Sequence, residues 1–380
     1  MSNILLFFVN DLSFFISHRI DIALFAKDKG YNVKVVFGEL GNSNIKLLSN
    51  AGIEIIQVPL KRGCINPFYE LITFINVWKV FRKIKPNIVH LVTIKPYLYG
   101  GIIAVLLKVP CVVSAVTGLG NLFNRKKIFV ILLQFLLYPF FRLAFNHPNQ
   151  KVIVQNFEDK NFFVKWGVLN TEKVSLIRGS GVNLNEFKQI KEVDSIPTIC
   201  LASRLLYDKG IFDYINAAQI LKSKSVKVRF WLAGNLDFEN PNGIKKNELE
   251  NICQKGIVEY LGYQKNISKL YSHSHVICLP SYYGEGIPKS LIEAAAAARA
   301  IVTTNHTGCK DAIIPNKTGL LVPIKNPKKL ADAILFLIKN PKTRISMGLA
   351  GRKFAKENFG IEKIVQSHME IYKKLLLNNP

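Results

Sequence analysis

At 380 residues, 49% of them hydrophobic, the chain is long enough for two domains with full cores and too apolar to be intrinsically disordered. Its six cysteines (Cys64, Cys111, Cys200, Cys253, Cys278 and Cys309) are scattered without a Cys-x-x-Cys pair, which argues against a zinc site or a disulfide framework and suits a reducing compartment. The net charge is +25, unevenly placed, and a long one-signed segment within it implies an anionic partner, either a nucleic acid or an anionic membrane surface.

The chain opens on the apolar run Ile4–Val9, too short for the core of a signal peptide and followed at once by Asp11, so it reads as a first strand. Asn32–Phe37, Ile53–Val58, Ile88–Val92, Cys111–Val116 and Val152–Gln155 read as further buried strands. Helix-length segments lie between them, among them Phe14–Lys29, Phe68–Lys85 and Tyr97–Lys108. This alternation predicts a parallel sheet covered on both faces. Ligands of such sheets bind beyond the C-terminal ends of the strands, which directs attention to Asn10–Arg19, Thr93–Pro96 and Thr117–Asn121. His18 and Arg19 follow the first strand and read either as cleft residues or as a helix start satisfied by backbone. Lys95 either faces a phosphate or is an exposed loop lysine. Gly118 and Gly120, after Thr117, let backbone N–H groups come close to a ligand.

Charge is unevenly placed. Between Leu71 and Phe157 there is no Asp or Glu, against eleven basic residues. Within this span Asn124-Arg125-Lys126-Lys127 precedes Ile128–Phe145, an almost wholly apolar run that includes Phe129 and Leu133. The run has the length of a short membrane span, but Gln134, Pro139 and Arg142 argue against spanning. A basic cluster beside an apolar, aromatic-rich helix fits a helix lying in the membrane interface; the alternative is an internal helix of the first domain. The aromatic residues sit mostly in apolar runs, and no zinc-finger spacing, RNP pattern or basic zipper occurs. Both features favour a membrane over a nucleic acid.

In the second half, Lys188–Ser195 reads as a linker and Pro197 as the opening of a second domain. Thr198–Ser203 is a buried strand running into Arg204-Leu205-Leu206-Tyr207-Asp208-Lys209-Gly210 and a helix. Val228–Gly234 and Val258–Gly262 are strands, the latter followed by Tyr263. The strand His275–Leu279 leads through a Gly-rich turn, Ser281–Ile287, into the alanine-rich helix Leu291–Ala300. Pro288 suits the first helical position. Gly286 and Ile287 before it are poor N-caps, so no side chain covers the first N–H groups and the helix start is a natural anion seat. Glu285 in the turn and Glu293 in the second helical turn are placed to contact two parts of one ligand. Taken alone, they are equally a loop acid and a solvated helix acid. Gly319–Pro323 reads as a strand, and Asn326–Ile338, Lys342–Asn358 and Ile361–Leu377 as helices.

The stretch Glu-Gly-Ile-Pro-Lys-Ser-Leu-Ile-Glu-Ala from Glu285, followed by Ala-Ile-Val-Thr-Thr-Asn-His-Thr-Gly-Cys-Lys-Asp-Ala from Ala300, resembles the donor-sugar site of family 4 glycosyltransferases. The signature of that family is Glu, seven residues, Glu, matched by Glu285 and Glu293. The resemblance extends through Gly179-Ser180-Gly181-Val182-Asn183, Arg204 with Lys209-Gly210, and Gly319–Pro323. Gly118-Leu119-Gly120 resembles a subgroup that acts on undecaprenyl-diphosphate-linked sugars, whose best-known member transfers N-acetylgalactosamine in bacterial protein glycosylation.

What the resemblance implies is a GT-B fold, an α/β architecture of two Rossmann-like parallel-sheet domains facing a cleft. Residues 1–190 would face acceptor and membrane, 191–360 would bind the nucleotide sugar, and 361–380 would form a helix crossing back to the first domain. Arg204 and Lys209 would stabilise the diphosphate leaving group without a metal. Glu285 and the N–H groups of Gly286 and Ile287 would hold sugar hydroxyls and Glu293 the ribose. Pro288 and Lys289 would complete the donor site, with Tyr263 near the nucleobase. His18, Arg19, Lys95, Thr117, Gly118 and Gly120 would face the acceptor. The chain departs from the family in having Asn10-Asp11-Leu12-Ser13 where a Gly-Gly loop is usual, and Thr117 where many members place a His. The activity implied is retaining, cofactor-free transfer of a sugar from a UDP-sugar, expected to be an N-acetylhexosamine, to a polyprenyl-diphosphate-linked sugar. It would serve bacterial surface polysaccharide (O-antigen) or glycan assembly, on a cytoplasmic protein peripheral to the inner face of the inner membrane. Arg125, Lys126, Lys127, Phe129 and Leu133 would meet that membrane. A sugar-nucleotide 2-epimerase of the same fold is the alternative, and a basic nucleic-acid-binding protein a more distant one.

Overall fold

The structure is a computed structural model that describes residues 2–41, 45–64, 66–118, 120, 128–237 and 240–378, with all their side chains except those of Ile128 and Phe129. The chain divides into two compact units, one running to Ser180 and resuming at Glu362, the other Gly181–Ile361. The boundary falls some ten residues before the expected one at 190. The segment expected to be a linker is tied to the second unit: Glu192 pairs with Arg344 at 2.7 Å, and the Val193 carbonyl accepts from His275 Nε2 at 3.1 Å.

The first unit is built on a seven-stranded parallel sheet in the order β3-β2-β1-β4-β5-β6-β7. The strands are β1 (Ile4–Asp11), β2 (Asn32–Glu39), β3 (Glu54–Gln57), β4 (Ile88–Val92), β5 (Cys111–Ala115), β6 (Gln150–Val154) and β7 (Val174–Leu176). β4 and β5 are buried at every position, as near-continuous apolar runs require when helices cover both faces. α1 (Leu12–His18) and α2 (Ile20–Asp28) replace the single helix expected over Phe14–Lys29; the break is at Arg19, whose φ of −134° is not helical. The short α3 (Ile45–Asn50) leads into β3.

Three helices line one face of this sheet. α4 (Pro67–Ile84) contributes Val77 and Phe81, α5 (Ile94–Leu106) contributes Tyr97 and Ile103, and α6 (Ile128–Ala144) contributes Phe141 and Ala144, all packed with Leu6, Phe8, Val89 and Leu91 in one core. α5 and α6 approach closely at Gly101, where a Cβ would stand 2.8 Å from the Ala144 carbonyl. α7 (Phe157–Lys165) precedes β7. The alternate side chains of β1 and β4, Phe7 and His90, point to the opposite face. There they stack at 4.9 Å, and Phe7 also meets Phe15 of α1.

The second unit holds a six-stranded parallel sheet, β10-β9-β8-β11-β12-β13. Its strands are β8 (Thr198–Ala202), β9 (Arg229–Ala233), β10 (Glu259–Tyr260), β11 (Val276–Leu279), β12 (Ala300–Thr304) and β13 (Gly319–Val322). Its helices are α8 (Ile211–Ser223), α9 (Lys246–Gln254), α10 (Ile267–Ser272), α11 (Lys289–Ala296), α12 (Pro327–Lys339) and α13 (Pro341–Asn358). β12 replaces the end of the helix expected to run to Ala300. α11 stops at Ala296, and Ala298 turns the chain with φ +57°, so Ala300 opens a buried strand instead.

α14 (Ile361–Leu377) buries Ile364, Val365, His368, Ile371, Tyr372 and Leu375, a stripe at i, i+1, i+4, i+7, i+8 and i+11. Its Tyr372 hydroxyl hydrogen-bonds His90 Nδ1 of β4, which ties the helix to the first unit's sheet.

Candidate active site

In each sheet the strand order reverses direction once, between β1 and β4 in the first and between β8 and β11 in the second. Chain segments leaving neighbouring strands diverge at such points and leave a crevice for a ligand.

At the second switch point the residue following β8 that matters is Lys209, and the one following β11 is Glu285. They form an ion pair, Nζ to Oε1, although 76 residues separate them. Lys209 is only 7% exposed. The Tyr283 ring lies 5.5 Å from its ammonium, and Ser281 Oγ donates to the same carboxylate oxygen at 3.3 Å. Glycines permit this closeness. Gly210 has φ +73° and passes Pro280 so tightly that a Cβ would fall 2.1 Å from its carbonyl oxygen. Gly308, φ +80°, meets the Gly286 carbonyl in the same way, at 1.9 Å. The Tyr282 N–H donates to the Asp208 carbonyl at 2.8 Å, and Thr304 Oγ1 donates to the Ser281 carbonyl. Three loops are therefore clamped together around one buried pair. Such a pair adds little net stability, but losing one partner strands the other charge.

Glu293 lies one helical turn into α11, with Lys289 Nζ at 3.7 Å. Burial pushes its carboxyl up to about 7, the Lys289 ammonium pulling against the shift and Glu186 adding to it. Pro288 is not the first helical residue but the N-cap, with extended ψ of 126°. The helix start carries no side-chain cap, so its orphan N–H groups remain for backbone, solvent or ligand. Arg204 is 40% exposed on its side chain and pairs with Asp237 at 2.9 Å. Tyr263 is exposed just past β10, following Gly262, whose carbonyl accepts from Gly234 N–H at 2.9 Å. Tyr283, Ser281 and Asp237 were not singled out in the sequence. Tyr283 lies inside the motif, but nothing local marks Asp237 as the partner of Arg204, since the pairing is made by the β8–β9 neighbourhood.

At the first switch point the correspondence is looser. Asp11 caps α1, accepting from Phe14 N–H at 2.9 Å. His18 is half-buried, stacked on Phe14 at 4.2 Å, with Nδ1 2.6 Å from Ser17 Oγ. Arg19 is a correction: it is buried, donates to the His18 carbonyl at 2.9 Å and belongs with Tyr372, His90 and His368 under α14 rather than with an acceptor. Burial lowers its guanidinium to about 10. Lys95 is a second correction. It sits in the first turn of α5, not in a loop, and its ammonium donates to the carbonyls of Lys61 and Cys64 at 2.7 Å and to Glu70 at 2.6 Å. All three of its donors are engaged in holding the start of α4. Thr117, Gly118 and Gly120 follow β5, with Gly118 at φ +123° and Gly120 at φ +57°; Leu119 and Asn121 lie outside the described residues. Thr93, at the end of β4, lies in the stretch Thr93–Pro96 to which the sequence directs attention, though only Lys95 of that stretch is a candidate there. Thr93 is β-branched yet has φ +76°, and its buried hydroxyl has no hydrogen-bond partner. Strain of this kind gathers at ligand sites.

Of the membrane candidates, Arg125, Lys126, Lys127 and the Phe129 side chain lie outside the described residues. Leu133 is half-buried. The outer face of α6 is apolar: Ile131, Leu132, Phe135, Leu136 and Phe140 are exposed, Phe135 to 83%. The helix is thus core on one side only. No helix among the described residues is long and apolar enough to cross a membrane.

Residues 4–156 match the sequence profile "Glycosyl transferase 4-like" and residues 183–354 the profile "Glycosyl transferases group 1". The N,N'-diacetylbacillosaminyl-diphospho-undecaprenol alpha-1,3-N-acetylgalactosaminyltransferase of Campylobacter jejuni is 28% identical over 95% of this chain and 96% of its own. The UDP-Gal:alpha-D-GlcNAc-diphosphoundecaprenol alpha-1,3-galactosyltransferase of Escherichia coli is 24% identical over 81% of each. A glycosyltransferase from Rickettsia africae superposes with a TM-score of 0.77 at 20% identity over 99% of both chains. Anabaena HepE in complex with UDP-glucose superposes at 0.74, with 18% identity over 98% of this chain and 99% of that one. With both halves matched in order and both sheets built as that fold requires, the chain belongs to the GT-B glycosyltransferases, its first half glycosyl transferase 4-like and its second half of group 1.

Proposed function

We propose that this glycosyltransferase moves an N-acetylhexosamine, with retention and without a metal, from a UDP-sugar to a polyprenyl-diphosphate-linked sugar in bacterial surface polysaccharide or glycan assembly. The observation that carries the reading is the buried Lys209–Glu285 pair at the second switch point, in a chain whose relatives include two transferases named for undecaprenyl-diphosphate-linked substrates. In the resting protein each charge neutralises the other. A nucleotide sugar offers both a better partner: its diphosphate to the Lys209 ammonium and its sugar hydroxyls to the Glu285 carboxylate. Binding therefore exchanges partners without stranding a buried charge. As the bond from C1 to the β-phosphate oxygen breaks, negative charge gathers on UDP beside Lys209 and Arg204, which stabilise it. The acceptor hydroxyl bonds to C1 on the same face and its proton passes to the departing phosphate. Glu293 receives the ribose, the loop at Gly286 and Ile287 with Pro288 and Lys289 backs the sugar, and Tyr263 stands near the base.

On the first unit, His18, Thr117, Gly118 and Gly120 remain as acceptor-side residues, with Thr93 added; Arg19 and Lys95 are withdrawn. The apolar outer face of α6, together with Arg125, Lys126 and Lys127, is proposed to rest on the inner face of the inner membrane, where a lipid-linked acceptor is held. No nucleic acid is proposed as a partner. The relatives named above are transferases, and the epimerase reading is not taken further.

A donor screen tests the proposal. A UDP-N-acetylhexosamine should protect the purified protein against heat, be hydrolysed slowly alone and be consumed when a lipid-linked acceptor is added, all in EDTA. Interconversion of the UDP-sugar without an acceptor, or turnover restored only by Mg²⁺ or Mn²⁺, would overturn it.

A further inference from the structure

The exposed side of α4 is not that of a solvated helix. Phe68, Leu71, Ile72, Ile75, Lys79, Arg82 and Lys83 fall at i, i+3, i+4, i+7, i+11, i+14 and i+15, which is a single helix face. All seven are exposed, Phe68 to 80%. The opposite side, Thr73, Val77 and Phe81, is buried in the core. The outward face is therefore apolar for its first two turns and cationic for its last two. The one acid of the helix, Glu70, is turned away from it, accepting from Lys95 at 2.6 Å and from the Tyr99 hydroxyl at 2.5 Å. A helix face left to water is normally polar, and a contiguous run of four large apolar side chains marks a surface that something covers.

We infer that α4 is a second membrane-docking element, which sets its apolar turns into the interface of an anionic bilayer and its basic turns against the headgroups. This rests on the membrane-facing reading of α6 given above. Three observations select the occupant. The face carries positive charge without an acid, within a stretch free of Asp and Glu from Leu71 to Phe157. α4 packs on the same side of the sheet as α6, with α5 between: Phe74 meets Tyr99 at 6.2 Å, and Tyr97 meets Phe141 at 6.0 Å. Both α4 and α6 run antiparallel to the strands they connect, so both begin at the sheet edge where β4 leads into Thr93 and β5 toward Thr117. The apolar turns of α4 thus lie at the edge where a lipid-linked acceptor would have to arrive.

The test is co-sedimentation with phosphatidylglycerol-containing vesicles, with phosphatidylcholine vesicles as the control. Two variants leave α6 intact, Ile72→Glu with Ile75→Glu, and Lys79→Glu with Arg82→Glu and Lys83→Glu; all five positions are exposed, and circular dichroism checks the fold. Each basic residue near an anionic surface strengthens partitioning about fivefold. The triple charge reversal should therefore weaken binding at low salt about a hundredfold or more, and the apolar pair about tenfold. Wild-type protein that ignores anionic vesicles would overturn the membrane reading and this inference together. Wild-type binding matched by both variants would overturn only the role of α4. A wild-type dimer that both variants dissociate, with vesicle binding unchanged, would make the occupant a second copy of the chain and would equally overturn it.

Discussion

Lys209 and Glu285 show what single side chains contribute to this site. Either one truncated to Ala leaves the other buried and unpaired, so each variant should lose about 3–5 kcal/mol of stability in the absence of ligand. Their catalytic signatures should differ. Lys209→Ala removes a leaving-group cation and should lower kcat about 10²- to 10³-fold while weakening UDP. Glu285→Ala should cripple transfer with UDP binding largely intact, and calorimetry with UDP separates the two; the reverse pattern would exchange the roles assigned to the pair. Glu293 makes a pH-dependent prediction. Its carboxyl is raised to about 7 by burial, so it is mostly protonated at pH 6 and ionised at pH 8. If its carboxylate accepts from ribose hydroxyls, UDP should bind about tenfold more weakly at pH 6 than at pH 8 beyond whatever change Glu293→Gln retains. An identical pH profile in the two proteins would remove Glu293 from the nucleotide site. At this scale the Glu–seven residues–Glu spacing was readable because both acids belong to one turn and helix. The burial that lifts one of them was not, because Glu186 and the covering loops come from elsewhere in the chain.

Among the elements, α14 carries its own device. His368 donates from Nδ1 to the Ile364 carbonyl at 2.7 Å and stacks on His90 at 5.6 Å beneath the helix. Burial, with the Arg19 charge nearby, holds His368 down to about 3, and burial with His368 and Arg19 holds His90 well below its ordinary value. Both are neutral in the folded protein, whereas in the unfolded chain each takes up a proton near pH 6.5. Below that pH the unfolded state binds more protons, so the stability these residues supply is lost as pH falls from about 6.5 toward the folded value. For His368 the loss is about 2 kcal/mol between pH 7 and pH 5. Urea midpoints across that range should fall more steeply for wild type than for His368→Asn, which keeps a donor but cannot titrate; parallel slopes would show that the imidazole takes up its proton as readily in the folded protein as in the unfolded chain. The sequence announced α14 through its apolar stripe and β1 through its apolar run. It gave no notice that Arg19, placed by its position after β1 among the candidate ligand residues, would break a helix and turn inward beneath a helix some 350 residues further on.

For the molecule as a whole, α6 predicts mixed membrane behaviour. On the proposed membrane surface the exposed Leu132, Phe135, Leu136 and Phe140 would supply apolar area at about 25 cal/mol per Å², and Arg125, Lys126 and Lys127 about 1 kcal/mol each, which salt would screen. High salt should release only part of the protein from anionic vesicles, and detergent the rest; complete release by salt would leave no role for the apolar face. The sequence by itself determined the two-sheet α/β architecture and the Glu–seven residues–Glu motif, because parallel strands buried on both faces must be apolar throughout and because the motif's residues lie in one local segment. It also determined the uneven charge. Only the tertiary structure decided which cations are already fully engaged within the protein. Lys95 and Lys209 each follow a buried strand and look alike in sequence, yet Lys95 spends all three donors on carbonyls and a carboxylate of its own unit, while Lys209 is held by a single carboxylate, the one that the proposed nucleotide sugar would replace. That difference comes from residues 25–76 positions away, brought close by strand order, and no window along the chain contains it.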